Sequence, residues 1–381
     1  MMMAALVMHR ACFIIDMKKI HYLSYLRAVA CIAIIILHTV DVAVILYQDH
    51  ITNGERIASL SVVYCMMWAV PCFVMVTGAL LLSKDRTITI KDVFGKYILR
   101  VLIALFAASL VFALFNMLMN REGFGVAFLA RGFLNALTGN GWAHMWYLYL
   151  LIGLYLLMIF YRAVAHHVSD KEYRLLLLIY VVFLSILPLL NMWNAKTGFY
   201  IHVSSIYPFY LFAGYAVAEE ILKINKGISI LLIVIGVAGI IASTILDAKN
   251  ARIAYGNLLG YSSIFVLLLA VGVFSFMKNF FGGQVLQATE VVAADDPEPE
   301  ASEEKKPGII GKIFLEIDRC SFGIYLIHMI FVRLVLRYWQ VDPYASNVTI
   351  LVFIGLVLGI LIVSYGITAL LKLIPGVKKI L

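Results

Sequence analysis

Two residues capable of chemistry stand in LSYLRAVACIAIIILHTVD, residues 23–41, a run otherwise fit to be dissolved in hydrocarbon. Burying a full charge there costs at least a few kcal/mol, so Arg27 and His38 each call for a partner, a wet cavity or a task. At i and i+11 on a helix the two side chains lie within roughly 20° of each other and about 16 Å apart along the axis. They therefore share one stripe. Arg27 offers a permanently charged planar fork suited to phosphate, and His38 is the natural acid or base. Asp41, three residues on, is spaced to accept a ring N–H from His38, fix its tautomer and raise its basicity. Taken singly, each has a plainer reading: an arginine near a helix end snorkels to headgroups, and a buried histidine is simply hydrogen-bonded.

A second polar set strengthens the chemical reading. In IDRCSFGIYLIHMIFVRLV, residues 317–335, Asp318 and Arg319 mark the start of an apolar span, while Ser321, Tyr325 and His328 share one helical face at spacings of four and three. His328 lies about 13 Å in from Arg319, near mid-membrane. A third set is NGWAHMWYLYLLIGLYLL, residues 140–157. Its Trp142, Trp146, Tyr147 and Tyr149 fit an interfacial aromatic belt, but His144 among them is less expected.

The elements that must position these residues are membrane helices. The chain has 381 residues, 63% hydrophobic and 14% charged, with mean hydropathy +0.97, a composition foreign to soluble domains. Ten apolar windows of helical length recur, at 22–46, 58–82, 97–119, 143–161, 173–193, 203–220, 228–246, 258–277, 319–340 and 348–371. Barrel strands would read as short alternating segments. The expected fold class is all-α, a polytopic helical bundle of about ten transmembrane helices.

Lysine and arginine concentrate in the N-terminus, in 84–100, 162–174, 221–227 and 278–312, and in the tail, which predicts that both termini are cytoplasmic. The net charge of +8 follows from this asymmetry and from anionic headgroups, so no nucleic-acid partner is implied. The expected organisation is a cytoplasmic N-terminus (1–21), helices one to eight (22–277), a cytoplasmic linker (278–312), helices nine and ten (313–374) and a basic tail (375–381). Within the linker, QATEVVAADDPEPEASEEKKPG at 287–308 is too acidic and proline-rich to bury a core and reads as a disordered tether. The outer loop 120–142 is glycine-dotted, and its middle is amphipathic enough to lie along the membrane surface.

The N-terminus lacks the small-residue cleavage site of a signal peptide, so the first span itself is expected to direct insertion. Cys12, Cys31, Cys65, Cys72 and Cys320 are odd in number and mostly lie in or beside spans, suggesting neither a disulfide framework nor a zinc site. No histidine and carboxylate cluster has metal-ligand spacing, so no metal is expected.

These elements resemble those of acyltransferase family 3, membrane-bound acyltransferases that include sugar O-acetyltransferases of bacterial surface glycans. Arg27 and His38 match its Arg-x10-His element. HMWYLYLLIGLYLL at 144–157 is similar to its His-x-Trp-aromatic-Leu segment, and SFGIYLIH at 321–328 to its Ser-aromatic-x-Ile-Tyr-Leu-x-His segment. PCFVMVTGALLL at 71–82 resembles the Phe-Val-x-Ser-Gly segment, with Thr77 where serine is usual. KYILRVLIAL at 96–105 resembles the basic entry of the third helix, reduced so that Arg100 is its clearest counterpart.

The resemblance implies a multi-pass enzyme of the bacterial inner membrane that moves an acyl group, acetyl in the simplest case, from cytoplasmic acyl-CoA to a hydroxyl of a cell-surface or lipid-linked glycan. Acyl-CoA would be a co-substrate, with no permanently bound cofactor. Arg27, Lys96 and Arg100 would bind the CoA phosphates, His38 would take the acceptor proton, and Asp41 would orient it. His144, Trp146, Tyr147, Ser321, Tyr325 and His328 would line the acyl tunnel or acceptor site. Direct transfer is expected, since no cysteine or serine is evidently paired with His38. Some members carry an appended hydrolase-like domain. Here only a short tail follows the tenth span, so delivery is expected to be direct or through a separate protein.

The acyl group, the acceptor and self-association into a homo-oligomer stay open. One rival is a secondary transporter of a small anion or proton-coupled solute, with Arg27, His38 and His328 as its pathway. It lacks a visible internal repeat and paired broken spans. A non-catalytic scaffold working through the linker leaves the Arg27 and His38 pair unexplained.

Overall fold

The computed structural model of the chain describes residues 2–121, 126–193, 205–249, 255–282 and 308–381. It is all-helical, with no strand among the described residues. Thirteen helices carry the argument, and the first of them is the hub. They are α1 (Met2–Leu46), α2 (Asn53–Met66), α3 (Ala69–Leu81), α4 (Leu99–Met119), α5 (Ala127–Thr138), α6 (Trp146–Leu156), α7 (Met158–His167), α8 (Asp170–Val181), α9 (Tyr207–Ala218), α10 (Lys226–Lys249), α11 (Ile264–Phe281), α12 (Ile309–Arg333) and α13 (Thr349–Leu371).

Eight of the ten apolar windows coincide with helices long and apolar enough to cross a bilayer. The fourth, 143–161, falls on a pair bent by 55°, Ala143–Leu156 and Met158–His167, so the described residues hold eight such spans, or nine if the bent pair is one. The sixth, 203–220, yields only the twelve-residue α9, every residue of which from Phe209 to Ala218 is buried. Pro208 at the first turn lets α9 start without losing a hydrogen bond, because the N–H there has no intrahelical partner anyway. The expected tether at 287–308 lies outside the described residues except for Gly308.

Two devices set the helices in place. Where chains enter helices from polar loops, Thr52 with Glu55, Thr89 with Asp92 and Ser169 with Glu172 form reciprocal caps that satisfy free N–H groups. Where helices cross, glycine permits backbone contact: a Cβ on Gly78 of α3 would fall 1.8 Å from the Leu211 carbonyl of α9, and one on Gly214 of α9 would fall 2.0 Å from that of Met75. Only the residue without a side chain fits there.

Helix α1 packs against α2, α3, α11, α12 and α13. One apolar core lies between α1, α3, α9 and α11, and a second between α1, α4, α6 and α12. The amphipathic middle of the outer loop is α5, with Gly132 and Ala136 buried and Leu129, Phe133, Leu134 and Leu137 exposed. Gly139, in the left-handed conformation at φ 74°, stops it and turns the chain towards His144.

Candidate active site

A cavity of about 530 Å³ runs into the bundle between α1, α3, α6 and α12. Arg27, Arg86, Arg100 and Arg319 line it at the end rich in basic residues. Phe73, Thr77 and Ile34 form its walls, and Tyr147 and Tyr325 close its inner end.

The arginines at the basic end are held rather than loose. Arg27 Nε donates to Asp318 Oδ1 at 2.6 Å and Nη2 donates to Oδ2 at 2.8 Å, a two-pronged pair that ties α1 to α12. Asp318 keeps 8% of its side-chain exposure and Arg27 30%, so the pair is half sheltered. Arg319 meets Glu316 at 2.6 Å. Arg100 stacks over the Phe322 ring at 5.3 Å and donates to the carbonyls of Ile380 at 2.7 Å and Leu381 at 3.2 Å. Lys96 is exposed, with its ammonium 5.6 Å from the Tyr97 ring, and is not part of the cavity lining.

Beyond the inner end, three histidines from distant parts of the chain come together. His38 of α1 lies 5.4 Å from His328 of α12 and 6.3 Å from His144, ring centre to ring centre, and His144 lies 5.4 Å from His328. His328 is fully buried and His144 retains 2% exposure. Tyr325 organises two of them. Its hydroxyl donates to the His144 carbonyl at 2.5 Å, and its own carbonyl accepts from His328 Nδ1 at 2.7 Å, with the Ile324 carbonyl at 3.1 Å. A ring nitrogen between two carbonyls must carry the proton, so Nε2 of His328 presents a lone pair.

That lone pair has no hydrogen-bond partner, and neither ring nitrogen of His144 makes a hydrogen bond, although the Leu326 carbonyl lies nearby. His38 likewise carries no hydrogen bond among the described residues. Each unsatisfied buried polar group costs about 1–3 kcal/mol. Above them Trp142 stacks on Phe112 at 4.3 Å, with the Arg333 guanidinium 4.1 Å from its ring.

Not every residue singled out in the sequence arrives here. Asp41 makes no hydrogen bond or ion pair with His38 among the described residues; helical spacing makes such contact available, and the rotamers do not take it. Trp146 turns to the other side of its helix and packs on Tyr207 at 5.6 Å and Tyr261 at 5.4 Å. Ser321 lines the cavity but spends its hydroxyl on the Asp318 carbonyl at 2.8 Å. Tyr147 reaches both cavity and cluster, with its ring 5.7 Å from that of Tyr325.

Sequence reasoning did not pair Arg27 with Asp318, nor place Arg86 in the lining. A signal for the pair was present, because Arg27 lies about one turn inside one apolar window, Asp318 stands at the entry of another, and both windows begin on the same expected side.

No curated protein and no solved structure gives a significant match to the chain. A family model described as an acyltransferase domain matches residues 20–369, which takes in the cavity lining except Leu381, the three histidines and, but for the last two residues of α13, every spanning helix. By that match the chain belongs to acyltransferase family 3, and it is a membrane acyltransferase.

Proposed function

We propose that this acyltransferase takes an acyl group, acetyl in the simplest case, from cytoplasmic acyl-CoA and delivers it to a hydroxyl of a cell-surface or lipid-linked glycan across the bacterial inner membrane. The observation that carries the reading is one cavity with arginines at its basic end and, just past its inner end, a cluster of three histidines of which His144 and His328 are buried. Guanidinium groups suit the CoA phosphates, and the apolar lining of Ile34, Val70, Phe73 and Val76 suits the pantetheine arm. The positive-inside asymmetry of the sequence assigns the arginine end to the cytoplasm.

In this mechanism His38 removes the proton of the acceptor hydroxyl as its oxygen attacks the thioester carbonyl. The new C–O bond places negative charge on the former carbonyl oxygen, and the hydroxyl of Tyr147, which lines the cavity and makes no hydrogen bond among the described residues, would donate to it. Collapse of that intermediate breaks the C–S bond, and the proton on His38 passes to the departing CoA sulfur.

Labelled acetyl transfer from acetyl-CoA into the glycan fraction of inverted membrane vesicles tests the reading. Wild-type protein is expected to transfer label and His38→Ala to lose it. Normal transfer by His38→Ala contradicts the mechanism.

A further inference from the structure

The tautomer of His328 has a consequence for His38. With Nδ1–H committed to the carbonyls of Tyr325 and Ile324, His328 offers only an acceptor, at Nε2, in a fully buried position. A buried acceptor calls for a donor. Two rings, His38 and His144, stand close enough to supply one, each with its centre 5.4 Å from that of His328, against about 5.2 Å for a linear N–H···N bond of about 3 Å between imidazoles. They differ in what else they face. His144 has the Leu326 carbonyl nearby for its N–H, whereas His38 makes no hydrogen bond among the described residues and is the ring left to donate.

We propose that His328 is the positioning residue for His38: its Nε2 accepts the ring N–H of His38, leaving the other nitrogen of His38 unprotonated for the acceptor hydroxyl. A small rotation of the His38 ring closes the bond. This assigns to His328, through main-chain carbonyls, the orienting part that helical spacing suggested for Asp41. Tyr325 is the pin beneath it, because one residue supplies both the carbonyl that fixes His328 and the hydroxyl that fixes the His144 segment. As His38 takes up a proton during transfer, the neutral acceptor on His328 shares the charge that develops.

The inference rests on the acyl-transfer reading only for its kinetic arm. Two isosteric changes separate positioning from mere packing. Gln at 328 places its amide where Nε2 was, and Asn places it where Nδ1 was. If Nε2 matters, His328→Gln keeps kcat within about tenfold of wild type while His328→Asn loses about 100-fold, both with unchanged KM for acetyl-CoA. If His328 is only a packing residue bonded to its own helix, Asn serves as well as Gln or better, and the inference fails.

The second arm needs no turnover. Carbethoxylation of His38 by diethylpyrocarbonate, followed by mass spectrometry on purified full-length protein, is expected to slow several-fold in His328→Asn and to stay near wild type in His328→Gln. Equal rates in both overturn the proposal. If wild-type protein releases no thiol from acetyl-CoA, the acyl-transfer reading falls while this arm still decides the role of His328. Should neither variant fold, 15N NMR of histidine-labelled wild-type protein reads the tautomer directly. A proton on Nδ1 of His328 supports the proposal, and one on Nε2 overturns it.

Discussion

The two ends of the cavity are built on opposite terms. At the basic end Arg27, Arg100 and Arg319 all have partners: a carboxylate in two-pronged geometry, main-chain carbonyls with a ring, and a neighbouring glutamate. Past the inner end His144 and His328 are buried and His38 is half-buried, yet most of their ring nitrogens make no hydrogen bond among the described residues. Paired charge at a half-exposed mouth holds helices together and costs little. Buried polar atoms without a protein partner cost stability unless something else meets them, and such atoms gather where a protein gives up stability for function.

The contrast predicts different failures at the two ends. The largest effect is at the histidines. His38→Ala lowers the transfer rate about 100- to 10,000-fold while acetyl-CoA binding stays within about threefold, as kinetics beside calorimetry will read. At the mouth the damage goes to the fold instead. Asp318→Ala strands Arg27 against the cavity wall and destabilises by about 2–3 kcal/mol, below the range for a fully buried pair because Arg27 retains exposure. Thermal unfolding in detergent measures it, and an unchanged midpoint shows that the pair does not clamp α1 to α12.

A smaller effect belongs to Arg100, which sits over Phe322 with its guanidinium on carbonyls that a phosphate can replace. Arg100→Ala weakens acetyl-CoA binding about tenfold, or about 1.4 kcal/mol, and leaves kcat unchanged. The smallest effect comes far from both ends. Glu172→Ala breaks the cap of α8, costs about 0.5–1 kcal/mol and leaves transfer untouched. A loss of transfer in Glu172→Ala blurs the proposed division between site and scaffold.

What the sequence disclosed and what it withheld divide along a physical line. Arg27, His38, Tyr325 and His328 stood out because a polar group in an apolar window is a local anomaly, visible without any neighbour. The all-helical class was equally open, since window length and hydropathy are local too. Pairing across the bundle is not local. Asp318 was noticed as a charge but not as the partner of Arg27, 291 positions away. The same limit acted on Asp41, where proximity along the helix suggested a contact that the rotamers decline. Trp146 shows a third form of it: the residue was found, but its side of the helix was decided by Tyr207 and Tyr261. The bend at 157–158 and the close crossing of α3 and α9 through Gly78 and Gly214 are two further features that hydropathy does not encode.

The most direct test of the central claim is calorimetric titration of acetyl-CoA into the purified full-length protein, run beside Arg27→Ala and His38→Ala. The account predicts saturable binding at one site, weakened in Arg27→Ala and retained in His38→Ala. Absence of saturable binding to wild-type protein, or binding indifferent to Arg27, contradicts the assignment of this cavity to the acyl donor.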